Sequence, residues 1–132
     1  MVGRDIDALE EAHASLHGTP GECSVISADL SEAEGVEQLI SSCADVDVLI
    51  ANAGVTSAAE TGSLPRSEID RLTYLMGAGV VRLCEGVVPG MVARGGGTVV
   101  IVSSIAAFRP MRNSGPYAAS KAFSTSYAKS LS

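Results

Sequence analysis

Short apolar segments alternate with segments of helical periodicity along the whole chain, and this alternation constrains the fold more than any other feature. The last two apolar segments, Val46–Ala51 and Thr98–Ser103, are almost continuously hydrophobic. Such runs are typical of strands that are buried on both faces of a sheet. Strands that alternate with helices connect by right-handed crossovers and form a parallel sheet. The pattern therefore predicts an α/β fold with a doubly wound parallel sheet.

Start and stop signals place the individual elements. Asp7-x-x-Glu10 and the capping box Ser31-x-x-Glu34 open the first two helices, and Pro116 precedes the last. The strands are predicted at Met1–Arg4, Cys23–Ala28, Val46–Ala51 and Thr98–Ser103. The helices are predicted at Asp5–His17, from Ser31 through Ile40, from Pro65 to about Ala93, and from Tyr117 onward.

Charge and cysteine usage exclude several classes of function. The formal net charge of −6 argues against nucleic acid or an anionic membrane as a partner. Cys23, Cys43 and Cys84 are scattered and lack metal-ligand spacing, so we expect free thiols, no metal site and a cytoplasmic location. The acidic N-terminus does not resemble a signal peptide, and we expect no membrane-spanning segment.

Polar residues follow the predicted strands at the point where each strand ends. They are Arg4, Asp29, Asn52 and Ser104. In a doubly wound sheet the ligand lies beyond the carboxyl ends of the strands. We therefore expect these four side chains to border a common ligand site.

Tyr117 and Lys121 are four residues apart on a predicted helix and should share one face. A positive charge about 4 Å from a phenol favours the phenolate by about 4 kcal/mol at an effective dielectric constant of about 20. A phenol activated in this way can exchange a proton with a substrate. Ser104 could hydrogen-bond the substrate oxygen. Taken alone, however, a Tyr-x-x-x-Lys pair is often only a buried ring and a solvated charge.

Taken together, the motifs resemble the short-chain dehydrogenase/reductase family over essentially the whole chain. They are Gly3-Arg4, Asp29-Leu30, Asn52-Ala-Gly54, Pro89-Gly-Met91, Ser104 and Tyr117-x-x-x-Lys121. The resemblance implies a Rossmann-like fold and hydride transfer between a nicotinamide dinucleotide and a small alcohol or carbonyl substrate. It makes Tyr117 the proton donor or acceptor, and Ser104 the residue that orients the substrate oxygen. Lys121 would activate Tyr117 and hold the nicotinamide ribose.

The same resemblance implies a set of cofactor-binding residues. Asp29 would contact the adenine, and Asn52 to Gly54 would line the adenosine side. Arg4 resembles the residue that pairs with the 2′-phosphate of NADP, so we expect NADP, with NAD as the alternative. Without the resemblance, Arg4 is equally well a solvated charge at a helix start. The full set is Arg4, Asp29, Leu30, Asn52, Ala53, Gly54, Tyr117 and Lys121.

The sequence departs from the family pattern in two ways. Met76 stands where the family usually has an asparagine, at a backbone kink that holds a proton-relay water. No glycine-rich phosphate loop precedes Arg4. In the strand order 3-2-1-4-5-6, the first strand lies in the middle of the sheet. We therefore expect residues 1–132 to form one partial domain, incomplete at both ends, with the sheet in two pieces and weak or no NADPH binding by itself.

Three functions are compatible with these features. The first is an NADP-dependent oxidoreductase, expected to form a homo-oligomer through the long helix and the Tyr117 helix. The second is an inactive remnant that acts at most as a dimerisation or interaction piece through the same helices. The third, a nucleotide-binding module without chemistry, explains Asp29 and Asn52 but not the joint presence of Ser104, Tyr117 and Lys121.

Overall fold

The computed structural model describes residues 1–131 and consists of parallel strands connected by helices. It confirms the predicted α/β class. The strands are shorter than predicted. They are β1 (Val2–Gly3), β2 (Ile26–Ser27), β3 (Val48–Ala51) and β4 (Thr98–Ile101).

The helices follow the predicted order. A π-helical turn and a short 3-10 turn interrupt the series at Tyr74–Ala78 and Ile105–Ala107. The predicted long helix is one continuous helical run made of two α-helices joined by the π-helical turn. The α-helices are α1 (Ile6–Ala14), α2 (Ala33–Ser41), α3 (Arg66–Thr73), α4 (Gly79–Ala93) and α5 (Gly115–Ala128).

The strands form two separate two-stranded parallel sheets, β1 with β2 and β3 with β4. An apolar cleft of about 650 Å³ runs between them and is lined by residues of β1 and β3. Val48 and Ile50 of β3 are 56% and 62% exposed, although their type is that of buried strand residues. The expectation that the sheet is in two pieces is confirmed for the described chain.

The hydrophobic core lies between α2, β3 and α4. Cys84 is fully buried, and Met91 closes one end of the core against Gly97. A Cβ atom at Gly97 would lie 2.7 Å from Met91 Sδ, so glycine is required there. The buried members are Val36, Leu39, Leu49, Leu83, Cys84, Val87 and Met91.

By length and composition alone, the 28-residue helical run Arg66–Ala93 would suffice to cross a membrane, which the sequence did not lead us to expect. In the fold this run supplies four of the seven core residues, all from α4. It also packs against α2 and α5. One face of the run is therefore buried in the core, whereas Val92 on the same run is 68% exposed.

Both predicted helix start signals were wrong in detail. Helix α1 is capped by Asp5, whose Oδ1 accepts the Ala8 N–H at 3.1 Å, rather than by Asp7. Helix α2 has Glu32 at its N-cap, without a side-chain cap hydrogen bond. Ser31 does not cap α2 because its hydroxyl donates to Asp29 Oδ1 at 2.6 Å. The serine of the apparent capping box is therefore part of a different network.

Candidate active site

Lys121 lies at the carboxyl ends of β3 and β4. Its side chain extends from α5, and its Nζ donates to the carbonyl oxygen of Val102 at 2.7 Å. Lys121 is only 7% exposed. A Cβ atom at Gly54 would lie 3.6 Å from the same Nζ. The ammonium group is thus held between the chain that leaves β4 and the chain that leaves β3.

Tyr117 and Ser104 lie on the two elements that flank this ammonium. Tyr117 is half-buried in the first turn of α5, one turn before Lys121. Ser104 is half-buried just after β4, and its Oγ accepts the Ala106 N–H at 3.2 Å to cap the 3-10 turn. Helix α5 packs against this 3-10 turn. The three predicted catalytic residues therefore come from adjoining elements at the end of β4.

Met76 lies inside the π-helical turn. The Gly79 N–H donates to the Tyr74 carbonyl, five residues back, so the backbone keeps an irregularity here with methionine in place of asparagine. Met76 is 1% exposed. Its Sδ lies 3.2 Å from where a Cβ of Gly54 would be. Met76 therefore packs against the same glycine that borders Lys121, and core packing supports the turn.

Asp29 is the centre of a hydrogen-bond network at the end of β2. Its Oδ1 accepts the Ser31 N–H at 2.9 Å and the Ser31 hydroxyl at 2.6 Å. Its Oδ2 lies 3.4 Å from Arg71 and 3.8 Å from Arg4. The Ser31 hydrogen bond, helped by the two guanidinium groups, lowers the pKa of Asp29 below its ordinary value. The carboxyl group is therefore a carboxylate at neutral pH.

A cavity of about 240 Å³ brings five predicted cofactor residues together. The residues come from the ends of β1, β2 and β3, as the sequence predicts. They are Arg4, Asp29, Leu30, Ala53 and Gly54. Asn52 lines the adjoining cleft between the two sheets. Lys121 approaches the cavity at Gly54.

Two residues of this site were missed by sequence reasoning. Arg71 donates from Nε and Nη2 to Ser31 Oγ at 3.3 and 3.1 Å, although it lies on α3, 40 residues away in the chain. Ser31 was interpreted as a helix cap. No local pattern signals Arg71, because its partners are defined only when α3 packs beside the β2–α2 turn.

Tyr127 provides an internal comparison for Tyr117, since both lie on α5. The Tyr127 hydroxyl donates to Glu85 Oε1 at 2.7 Å. Burial, followed by this hydrogen bond, raises the pKa of Tyr127 well above its ordinary value. Tyr127 is therefore a structural phenol that remains protonated at neutral pH.

Comparison with known proteins places this geometry in a family. A family model described as short chain dehydrogenase matches residues 1–132. Dehydrogenase/reductase SDR family member 4 from Bos taurus is 37% identical over 127 residues, which cover 91% of this chain and 42% of the bovine protein. The chain spans about half the length of the relatives it matches.

Two solved structures share the fold closely. The bulky-bulky ketone specific alcohol dehydrogenase from Comamonas testosteroni has a TM-score of 0.92 and 27% identity, and the match covers 99% of this chain and 54% of that one. L-Sorbose reductase from Gluconobacter frateurii, complexed with NADPH and L-sorbose, has a TM-score of 0.90 and 30% identity, with 98% and 51% covered. NADPH and L-sorbose are the ligands of that reductase.

Proposed function

Because the chain belongs to the short-chain dehydrogenase/reductase family, we propose that it forms the central part of an NADP-dependent oxidoreductase that interconverts a small alcohol and its carbonyl compound. The observation that carries the proposal is the placement of Lys121. Its buried ammonium group donates a hydrogen bond to the Val102 carbonyl oxygen. It also lies beside Gly54, at the edge of the cavity lined by Arg4 and Asp29. Gly54 thus lies both on the cavity with Arg4 and Asp29 and beside the lysine of the proposed catalytic helix.

The residues present fit a nicotinamide dinucleotide. At Gly54 a side chain would press on Met76 and Lys121, so the glycine lets the chain that borders the cavity pass close to both residues. Arg4, with its side chain 58% exposed, is available to a 2′-phosphate, and the Asp29 carboxylate is available to an adenine amine. Leu30, Asn52 and Ala53 would line the adenosine side. When bound, the cofactor supplies the hydride.

The chain's own residues would handle the substrate oxygen and its proton. Tyr117 Oη would donate a proton to the oxygen as a carbonyl is reduced, or accept one as an alcohol is oxidised. Ser104 Oγ would hydrogen-bond the same oxygen and orient it. Lys121 would place its positive charge on the side of Tyr117 and would hold the nicotinamide ribose.

The reaction is tested by adding aldehydes and ketones with NADPH and following the loss of NADPH absorbance. Because the chain by itself is expected to bind NADPH weakly, the assay also uses a chimera. In it, residues 1–132 replace the matching part of the Comamonas testosteroni enzyme. Tyr117→Phe should abolish turnover in the chimera. Tyr127→Phe, a change of the same kind on the same helix, should leave turnover intact. Activity that survives Tyr117→Phe removes Tyr117 from its proposed role.

A second candidate function is an interaction piece without catalysis, and the open cleft between the two sheets favours it. Strand edges with unpaired backbone groups bind other chains readily. Tight NADPH binding by the 132-residue chain, measured by calorimetry, would count against this alternative.

The proposal also includes a homo-oligomer that pairs through α4 and α5, which exposed Val92 and Phe123 on those helices support. Light scattering gives the oligomeric state. A cytoplasmic location accords with three free thiols.

A further inference from the structure

The Asp29 carboxylate is shared by two guanidinium groups, and this sharing has a consequence for cofactor choice. Both Arg71 Nη2 and Arg4 Nη1 approach Oδ2, at 3.4 and 3.8 Å. Arg71 also donates two hydrogen bonds to Ser31 Oγ, and its Nε forms an ion pair with Glu32 at 3.9 Å. Arg4 has the longer ion pair and the more exposed side chain, 58% against 49%. Arg4 is therefore the easier of the two to withdraw from Asp29.

The turn that carries Asp29 is itself held rigidly. Ser31 is buried and takes part in hydrogen bonds with both Asp29 and Arg71. A Cβ atom at Gly35 would lie 2.1 Å from the Asp29 carbonyl oxygen, so α2 packs directly on the backbone of the turn. The carboxylate consequently stays in place when a ligand draws Arg4 away.

We propose that Arg71 is a positioning residue that sets the preference for a 2′-phosphate by neutralising Asp29 in place of Arg4. The inference rests on the proposed function, because the 2′-phosphate is the group that distinguishes NADP from NAD. With Arg71 present, Arg4 can turn to a phosphate while Asp29 keeps a cationic partner. Without Arg71, Arg4 is the remaining cation on Asp29 among the described residues, and the uncompensated carboxylate repels the incoming dianion. Binding of a ligand without the phosphate does not require Arg4 to move.

The test compares two small probes, 2′-AMP and adenosine, titrated into the 132-residue chain by NMR. These probes report on the adenosine end alone and do not require hydride transfer. The wild-type chain should bind 2′-AMP more tightly than adenosine, and Arg4→Met should remove that preference. Arg71→Met should reduce the preference about fivefold, the size expected for one exposed ion pair. Adenosine affinity should change little.

Three further variants separate charge from tethering. Arg71→Gln keeps a hydrogen-bond donor for Ser31 but has no charge, and it should reduce the preference as much as Arg71→Met does. Arg71→Lys keeps the charge and should retain the preference. Arg82→Met is the matched control, because Arg82 is equally half-exposed and its ion pair with Glu37 at 2.6 Å is made by α2 and α4, outside the cavity. It should leave both affinities unchanged.

Several outcomes would overturn the inference. An unchanged preference for 2′-AMP in Arg71→Gln would do so. An equal loss of affinity for 2′-AMP and adenosine in the Arg71 variants would also do so, because it would show that Arg71 only holds the turn in place. A wild-type chain without any preference for 2′-AMP would also overturn it. If the chimera does not reduce carbonyl compounds but the Arg71-dependent preference for 2′-AMP is observed, the proposed reaction is wrong and the role of Arg71 is retained.

Discussion

The two ends of the candidate site are held in place by different forces. At the end that contains Lys121, the lysine is buried and donates a hydrogen bond to the backbone of Val102, and α5 packs against neighbouring helical turns. At the end that contains Asp29, Arg4 forms a solvent-accessible ion pair with Asp29, and Asp29 accepts hydrogen bonds from Ser31. The first end depends on packing in the interior of the domain, whereas the second depends on exposed charges that salt and ligands can rearrange.

The difference follows from the strands that carry each end. Strands β3 and β4 pair over four residues, and β3 contributes Leu49 to the core. Strands β1 and β2 pair over two residues, and the helix between them buries a single residue, Leu9. An element with few buried apolar contacts opens at a lower free energy. We therefore expect substitutions to have larger effects on stability near β3 and α4 than near β1 and β2.

The largest effect is expected for Met91→Ala, which empties a buried site in the half that contains β3 and α4. The change should lower the free energy of unfolding by about 2–5 kcal/mol, the usual range for truncating a buried methionine. Urea denaturation followed by circular dichroism measures the loss. Val92→Ala is the matched control, because Val92 is the next residue and is 68% exposed. It should change stability by no more than about 0.5 kcal/mol. Equal effects of the two variants would show that α4 is not packed as described.

A smaller effect is expected for Gly35→Ala, which acts on the turn that carries Asp29. The new Cβ would overlap the Asp29 carbonyl oxygen, and the backbone must shift at a cost of about 1–3 kcal/mol. Faster hydrogen exchange at the Ser31 N–H, which donates to Asp29 Oδ1, should accompany the loss. Gly90→Ala is the control within a helix, since its nearest neighbours would lie at 3.4 and 3.5 Å. It should stabilise the protein by up to about 1 kcal/mol. Exchange at the Ser31 N–H that is as slow in Gly35→Ala as in wild type would contradict the packing of α2 on this turn.

The smallest effect is expected for Asp29→Asn, and it should depend on pH. The pKa of Asp29 is lowered in the folded chain, so its carboxylate stabilises the fold at pH values above the ordinary value of 3.8. That contribution is lost as the pH falls through the lowered pKa. Because the ion pairs are exposed, the variant should lose less than about 1 kcal/mol at pH 7. The difference from wild type should shrink below pH 3.8 in urea titrations at several pH values. Asp45→Asn, at an exposed position, should change stability by no more than about 0.5 kcal/mol at pH 7. A difference for Asp29→Asn that grows in acid would refute the assignment.

Much of the fold was predictable because its signals are local. Apolar runs of strand length, separated by amphipathic helices, indicated a parallel α/β arrangement, and the start of α5 near Pro116 followed from the preference of proline for a first helical turn. The residues of the cavity were also foreseeable, since Arg4, Asp29 and Gly54 come within three residues of a strand end. The helix caps were less predictable, because the side chains of Asp5, Asp7 and Ser31 have equivalent capping chemistry and only the surrounding contacts choose among them.

The amino-acid sequence by itself determined the α/β class, the order of the elements and the side of the sheet on which Ser104, Tyr117 and Lys121 lie, because periodicity and strand ends depend on near neighbours along the chain. Tertiary structure alone decided that Lys121 donates to the Val102 carbonyl, that Met76 packs against Gly54 within a π-helical turn, and that Arg71 reaches Asp29 from α3. These contacts join residues that are 19 to 42 positions apart. Their partners are defined only when helices and strands pack together, and no pattern of neighbouring residues encodes them.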